Sequence, residues 1–259
     1  MGDTTDTTVT TALGDITGTT GAYLRIIWQL DEEGIVPIRA RIAERIGHTS
    51  PAVSQAIARI ERQGLVHVRE DGRVTLSPSG RSLAAAIVRK HRLAELLLSD
   101  VIGLPWEEVH REASRWAHDI GDDFEHRLTQ FLGDPHRSLY GNPIPRSEEA
   151  SGSEPRLYYR ESVSLAEVAI RHIGTSVSVR IEALAEPAQA DPQLLQRFAA
   201  AQITPNTRVR CQHHGSTVSI SPVGVAESLT VTHSAAHLVL VSSDPDSQQV
   251  DRRARWSSH

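Results

Sequence analysis

Residues His48–Gly80 read "HTSPAVSQAIARIERQGLVHVREDGRVTLSPSG", and this stretch decides the fold. Val53, Ile57 and Ile60 recur at helical spacing, which leaves the opposite face polar. Thr49 or Ser50 can cap the helix, and Pro51 suits its first turn, where the N–H has no helical partner to lose. From Leu65 the period drops to two around Asp71-Gly72, the signature of a two-residue hairpin turn. Upstream, "VPIRARIAERIG" (36–47) carries Ile38, Ile42 and Ile46 as a stripe, with Pro37 at its entry and Gly47 as its stop. Before that, "GAYLRIIWQLDEEG" (21–34) places Tyr23, Ile26, Ile27 and Leu30 on one helical face and ends at Gly34. Helix, short helix, turn, second helix, hairpin is the order of a winged helix-turn-helix.

Charge is distributed to match. The chain of 259 residues carries a net charge of −5, which by itself argues against nucleic acid. Between Pro37 and Lys90, however, ten Lys/Arg face four Asp/Glu, an excess of six positive charges, so the remainder carries −11. A basic block in an acidic chain is what a localised phosphate-binding surface requires. A recognition helix reads bases from its N-terminal half while arginines and hydroxyls hold phosphates. Gln55 can pair bidentately with adenine, and Pro51 with Ala52 can pack on thymine methyls. Thr49, Ser54, Arg59 and Arg62, with Arg39 on the preceding helix, can reach the backbone. An amphipathic helix that binds nothing is the bland alternative. The hairpin behind it and the local positive charge favour double-stranded DNA.

Two longer helices follow, "GRSLAAAIVRKHRLAELLLSDVIG" (80–103) and "PWEEVHREASRWAHDIGDDFEHRLTQFLG" (105–133). The first is apolar around much of its circumference, so it is expected to be buried on more than one side. The second carries His110 and His118, eight residues and about 80° apart on a helix. After a Pro/Gly loop, "DPHRSLYGNPIP" (134–145), and a polar stretch, "RSEEASGSEP" (146–155), the pattern turns to short strands. These are "SVSLAEVAI" (162–170), "SVSVRIEAL" (176–184), "TRVRCQHH" (207–214), "STVSISPV" (216–223), "SLTVT" (228–232) and "AHLVLVS" (236–242). Only "PQLLQRFAAAQI" (192–203) interrupts them as a helix, and a small barrel is expected.

The single cysteine, Cys211, excludes an internal disulfide and a cysteine-cluster zinc site. No run approaches the roughly 20 apolar residues of a membrane helix. The Thr-rich acidic start lacks the basic and apolar regions of a secretory signal. A cytoplasmic protein with no membrane partner is expected.

Three segments, "YLRIIWQLDEEGIVPIRARIAERIGHTSPAVSQAIARIERQGLV" (23–66), "RKHRLAELLLSDVIGLPWEEVHREASRWAH" (89–118) and "YGNPIP" (140–145), resemble the iron-dependent regulators typified by the diphtheria toxin repressor. The resemblance is dense over residues 20–145 and looser beyond. It implies a multidomain α+β chain: a disordered tail (1–18), a winged helix-turn-helix DNA-binding domain (19–80) and a helical dimerisation and metal-binding domain (81–146). A linker (147–160), an SH3-like small β-barrel (161–243) and a second disordered tail (244–259) complete it. It further implies a homodimer that binds palindromic operators when a divalent metal is held, repressing iron or manganese genes. Fe2+ or Mn2+ is the expected ion, with Co2+, Ni2+ or Zn2+ as further options for imidazole and oxygen ligands.

Carried over residue by residue, the family's ancillary metal site takes His91 and Glu95 from "RKHRLAE", His110 from "WEEVH", and Glu186 and Gln189 from "LAEPAQAD". All five match. The primary site departs: the usual "CRWEH" and a Met before "YLR" are replaced by Ser114, Ala117 and Ala22, and only His118 is retained. His118 is thus a remnant, a packed or hydrogen-bonded histidine before it is a ligand. Asp119 and Asp122 lie close by as harder ligands; helical spacing turns Asp119 about 100° from His118, while Asp122, at i+4, is better placed but needs a different seam. Ala52 also replaces the family's usual Thr in the recognition helix, which removes one phosphate contact. Two other readings stand beside the metal-responsive repressor. One is a DNA-binding regulator freed from metal or tuned to another ligand. The other is a metal-dependent hydrolase, which lacks an HExxH-type motif and a general base.

Overall fold

The computed structural model describes residues 18–117, 119–146 and 162–242. The expected tails, the linker and His118 lie outside the described residues, apart from Gly18, which opens the first helix.

Helix α1 spans Gly18–Glu32, α2 Arg39–Ile46 and α3 Ser50–Arg62, followed by strands β1 (Val66–Val68) and β2 (Val74–Leu76). The helix-turn-helix pivots on Gly47, whose φ of 71° closes α2 with a hydrogen bond to Ala43 O. Val53, Ile57 and Ile60 of α3 are buried against Tyr23, Leu24, Ile27, Ile42, Val66 and Val74, so the expected apolar face is the core face. Thr49 stands at the N-cap of α3, but its hydroxyl makes no capping bond. The hairpin loop holds three residues, not two. Val68 pairs with Val74 and Arg69 N donates to Arg73 O at 2.8 Å, leaving Glu70-Asp71-Gly72 as the turn. Gly72 adopts a φ of 80°, the left-handed residue that ends a three-residue hairpin loop.

Helix α4 (Pro78–Leu96) is capped by Ser77, whose hydroxyl accepts from Gly80 N at 3.0 Å. Its first half packs Leu83, Ala84, Ile87 and Val88 into the N-terminal core, while Leu93 and Ala94 face later elements. It runs on as a wider turn over Leu97–Val101. The stretch expected as one second long helix is instead two: α5 (Trp106–Trp116) and α6 (Asp122–Phe131). Gly121 sits extended ahead of α6, and Asp122, Asp123 and Glu125 fill its first turn, where carboxylates stabilise a new N-terminus. The turn also brings Asp122 to 2.7 Å from the buried Lys90 of α4.

The C-terminal part holds β3 (Ser162–Ser164), α7 (Leu165–Arg171), β4 (Ser176–Leu184), α8 (Glu186–Gln189), α9 (Pro192–Ala200) and β5 (Arg208–His214). It ends with β6 (Thr217–Pro222), β7 (Leu229–Thr232), α10 (His233–His237) and β8 (Val239–Ser242). Two stretches read as strands are therefore partly helical. Ser164 accepts from Glu167 N and Thr232 accepts from Ala235 N, each at 3.2 Å, so a hydroxyl cap starts a helix where alternation had suggested a strand. The strands form one antiparallel sheet in the order β3-β8-β4-β5-β6-β7, with Leu165, Leu195 and Phe198 packed against its apolar face.

The loop containing "YGNPIP" fastens this sheet to the helices. Tyr140 is fully buried, its hydroxyl donates to Trp106 O at 2.7 Å, and its carbonyl accepts from Leu184 N at 2.9 Å. Asn142 Nδ2 donates to Leu184 O at 3.2 Å. Gly141 has a φ of 84°, and a Cβ there would fall 2.1 Å from Glu182 O, so only glycine lets the loop approach β4 this closely. The end of β4, and α8 after it, are thereby held over α4 and α5.

Candidate functional site

His91 and Glu95 lie one helical turn apart on α4, and His110 reaches them from α5. His91 Nε2 is 2.9 Å from Glu95 Oε1 and 3.3 Å from His110 Nδ1, and His110 Nδ1 is 3.2 Å from the same Glu95 oxygen. All three side chains are buried. Glu186, at the start of α8, adds its Oε1 at 3.4 Å from His110 Nε2. Four of the five expected ancillary ligands therefore converge. Gln189 is buried one turn further along α8, but its amide nitrogen donates to Leu184 O at 2.7 Å and not to this cluster.

Electrostatics in the cluster follow from two carboxylates and two imidazoles in one buried space. Burial works against a charged Glu95, but His91 and His110 outweigh it and hold its pKa down to about 2. Burial likewise opposes a charged His110, yet Glu186 and Glu95 on either side raise its pKa to about 9. Glu186 is held well below the usual carboxylate range by His110 and Arg25, against its own burial. Burial lowers the pKa of His91 in spite of Glu95, and Arg25 adds to the lowering. His91 Nδ1 and Glu95 Oε2 are buried with no hydrogen-bond partner among the described residues. An unpartnered carboxylate oxygen and an unpartnered imidazole nitrogen in one buried group are costly unless a cation completes them. The donor set of nitrogen and oxygen suits a first-row divalent ion. The residues fit a metal.

The primary-site positions do not. Ala22 and Ala117 offer no ligand atom, and Ser114 Oγ donates to His110 O at 2.9 Å. Asp122 is engaged by Lys90. Cys211 lies in the C-terminal core, where burial pushes its thiol up to about 11.

Three side chains on or just beyond α1 that the sequence did not single out converge on Glu186. Arg25 Nη1 is 3.2 Å from Glu186 Oε1, Gln29 Nε2 donates to Glu186 Oε2, and Glu33 Oε1 accepts from the Glu186 backbone N–H at 3.4 Å. Their signal was present, since Arg25, Gln29 and Glu33 are spaced four apart and so lie along one stripe of α1 and its exit.

On the other side of α3, Thr49, Pro51, Ser54, Gln55, Arg59 and Arg62 are all solvent-exposed, and Arg39 is half-buried on α2. Arg59 reaches back to Thr20 Oγ1 at 3.5 Å, which turns it toward the start of α1. Gln55, Ser54 and Pro51 stand on the first two turns, where a groove-inserted helix presents side chains to base edges.

Known proteins resemble the chain over most of its length. Residues 15–74 match the N-terminal DNA-binding domain of iron-dependent repressors, and residues 77–146 match their metal-binding and dimerisation domain. The iron-dependent repressor IdeR of Mycobacterium tuberculosis is 45% identical over 231 residues, 88% of this chain and 99% of that protein. The diphtheria toxin repressor of Corynebacterium glutamicum is 44% identical over 218 residues, 80% of this chain and 92% of that one. Among solved structures, a manganese-dependent transcriptional repressor in complex with manganese superposes with a TM-score of 0.72 at 30% identity, over 87% of this chain and 100% of that one. The chain belongs to the iron-dependent repressor family of transcriptional regulators.

Proposed function

We propose that this chain is a cytoplasmic, homodimeric, DNA-binding repressor whose operator affinity responds to one divalent transition metal held by His91, Glu95, His110 and Glu186. Gln189, on the same short helix as Glu186, is the fifth proposed ligand. The observation that carries the reading is the buried triad of His91, Glu95 and His110, whose ligand atoms lie within 4.8 Å of one another. A bound divalent ion would supply positive charge that ties α4, α5 and α8 together. Arg39, Thr49, Pro51, Ser54, Gln55, Arg59 and Arg62 are proposed to face the DNA. The apolar residues left exposed in the helical region, Val101, Ile102, Trp116, Phe124 and Phe131, supply the surface a second copy would cover.

One observation favours the second reading, a regulator released from metal control: His110 and Arg25 already neutralise Glu95 and Glu186 in the described state. A single experiment separates the two. Operator-selected DNA binding of metal-stripped protein is measured at fixed salt, since phosphate contacts alone shift affinity by orders of magnitude. Fe(II), Mn(II), Co(II) and Zn(II) are then titrated. Binding that appears only with metal, and is lost in His91→Ala, supports the metal switch; equal binding without metal supports release.

A further inference from the structure

We infer that Arg25 is an internal cation that competes with the metal for Glu186 and His91, so that it sets the affinity of the site and couples its loading to helix α1. The inference rests on the reading of the buried cluster as a metal site. Arg25 Nη1 makes three contacts at once: Glu186 Oε1 at 3.2 Å, Ser114 Oγ at 3.4 Å and His91 Nε2 at 3.5 Å. Two of those atoms belong to residues proposed as ligands, Glu186 and His91. A guanidinium is a planar fork of N–H donors that carries a positive charge, so it can occupy the oxygen and nitrogen atoms a cation would use. Its side chain is only 16% exposed, which leaves little water to screen it from an incoming ion.

The other neighbours of Arg25 do not relieve the competition. Its remaining hydrogen-bond neighbours are the neutral Ser114 hydroxyl and the His91 imidazole. Among the described residues the guanidinium pairs with one carboxylate, that of Glu186. Arg25 and Gln29, one turn apart on α1, both hold Glu186, so loading the site loosens the DNA-binding unit from the C-terminal sheet. A purely structural ion pair would behave differently: its removal would loosen the docking of Glu186 and weaken metal binding, or leave it unchanged.

The test is Co(II) titration of metal-stripped, full-length protein by calorimetry and by the visible absorption of bound cobalt. Arg25→Met, which keeps bulk and removes charge, is expected to bind Co(II) about tenfold more tightly or better, the scale on which one neighbouring charge shifts an ionic equilibrium. Arg25→Lys, which keeps the charge, is expected to stay near wild type. Arg25→Gln serves in the same way should the methionine variant not fold. Equal or weaker Co(II) binding in the folded neutral variant, with the cobalt spectrum of the wild type still lost in His91→Ala, overturns the role of Arg25 and leaves the metal site standing. No Co(II) bound by either the wild type or the neutral variant overturns both.

Discussion

Glu186 Oε1 and His110 Nε2 lie 3.4 Å apart, and through this contact the C-terminal sheet meets the helical region at a buried imidazole. Glu186 is the ligand candidate from outside α4 and α5 whose side chain reaches the cluster, so its removal tests whether the third domain belongs to the site. Glu186→Gln should reduce metal affinity by at least about tenfold, since even outer-shell partners of metal ligands are worth that much. Metal titration by calorimetry checks it. Unchanged affinity would confine the site to His91, Glu95 and His110.

The same contact makes the metal-free protein pH-sensitive. The pKa of His110 is raised from its ordinary 6.5 to about 9 by Glu186 and Glu95, against burial. A group whose folded pKa is raised adds stability that is fully present below the unfolded value and is lost as pH rises through the folded one. Thermal unfolding of chelated protein should therefore show a falling Tm between pH 6.5 and about 9. In His110→Gln that slope should flatten. A slope that persists in the variant would assign it to another group.

Gln55, exposed on the second turn of α3, is proposed to read a base. Gln55→Ala should cost roughly 1–3 kcal/mol against the selected operator and little against random DNA. Fluorescence anisotropy at fixed salt gives both values. Equal losses on the two would place Gln55 on the backbone.

Glu32 and Arg92 pair bidentately between α1 and α4, at 2.9 and 2.6 Å, with both side chains 5% exposed. Removing one partner strands a buried charge, so Arg92→Met should destabilise the protein by about 3–5 kcal/mol. Adding Glu32→Gln should recover much of that loss. Denaturant unfolding of the single and double variants measures the coupling.

Phe124 and Phe131 stand seven residues apart on α6 and are 49% and 69% exposed, a face that asks for cover. Phe131→Glu should shift the protein from dimer to monomer in analytical ultracentrifugation and weaken binding to a palindromic operator. A dimer that persists would place the interface elsewhere.

The sequence by itself determined what depends on neighbours a few residues apart. Apolar periodicity placed α1, α2 and α3 and oriented Val53, Ile57 and Ile60 inward, because a helix face is set by spacing alone. His91 and Glu95, at i and i+4, were bound to share a face of one helix. Tertiary structure decided the rest. Residues 105–133 broke at Gly121 because Asp122 and Glu125 gain a buried partner, Lys90, that lies 32 and 35 residues away in the chain. The "SVSLAEVAI" stretch became half helix because the Ser164 cap outweighed a short alternation. Glu186 reached His110 only through the docking of Tyr140 and Gly141 on β4, and no spacing rule spans that distance. Arg25 came to the centre of the site in the same way: its spacing to Gln29 marks a polar stripe on α1, but only packing brings Glu186, His91 and Ser114 around it.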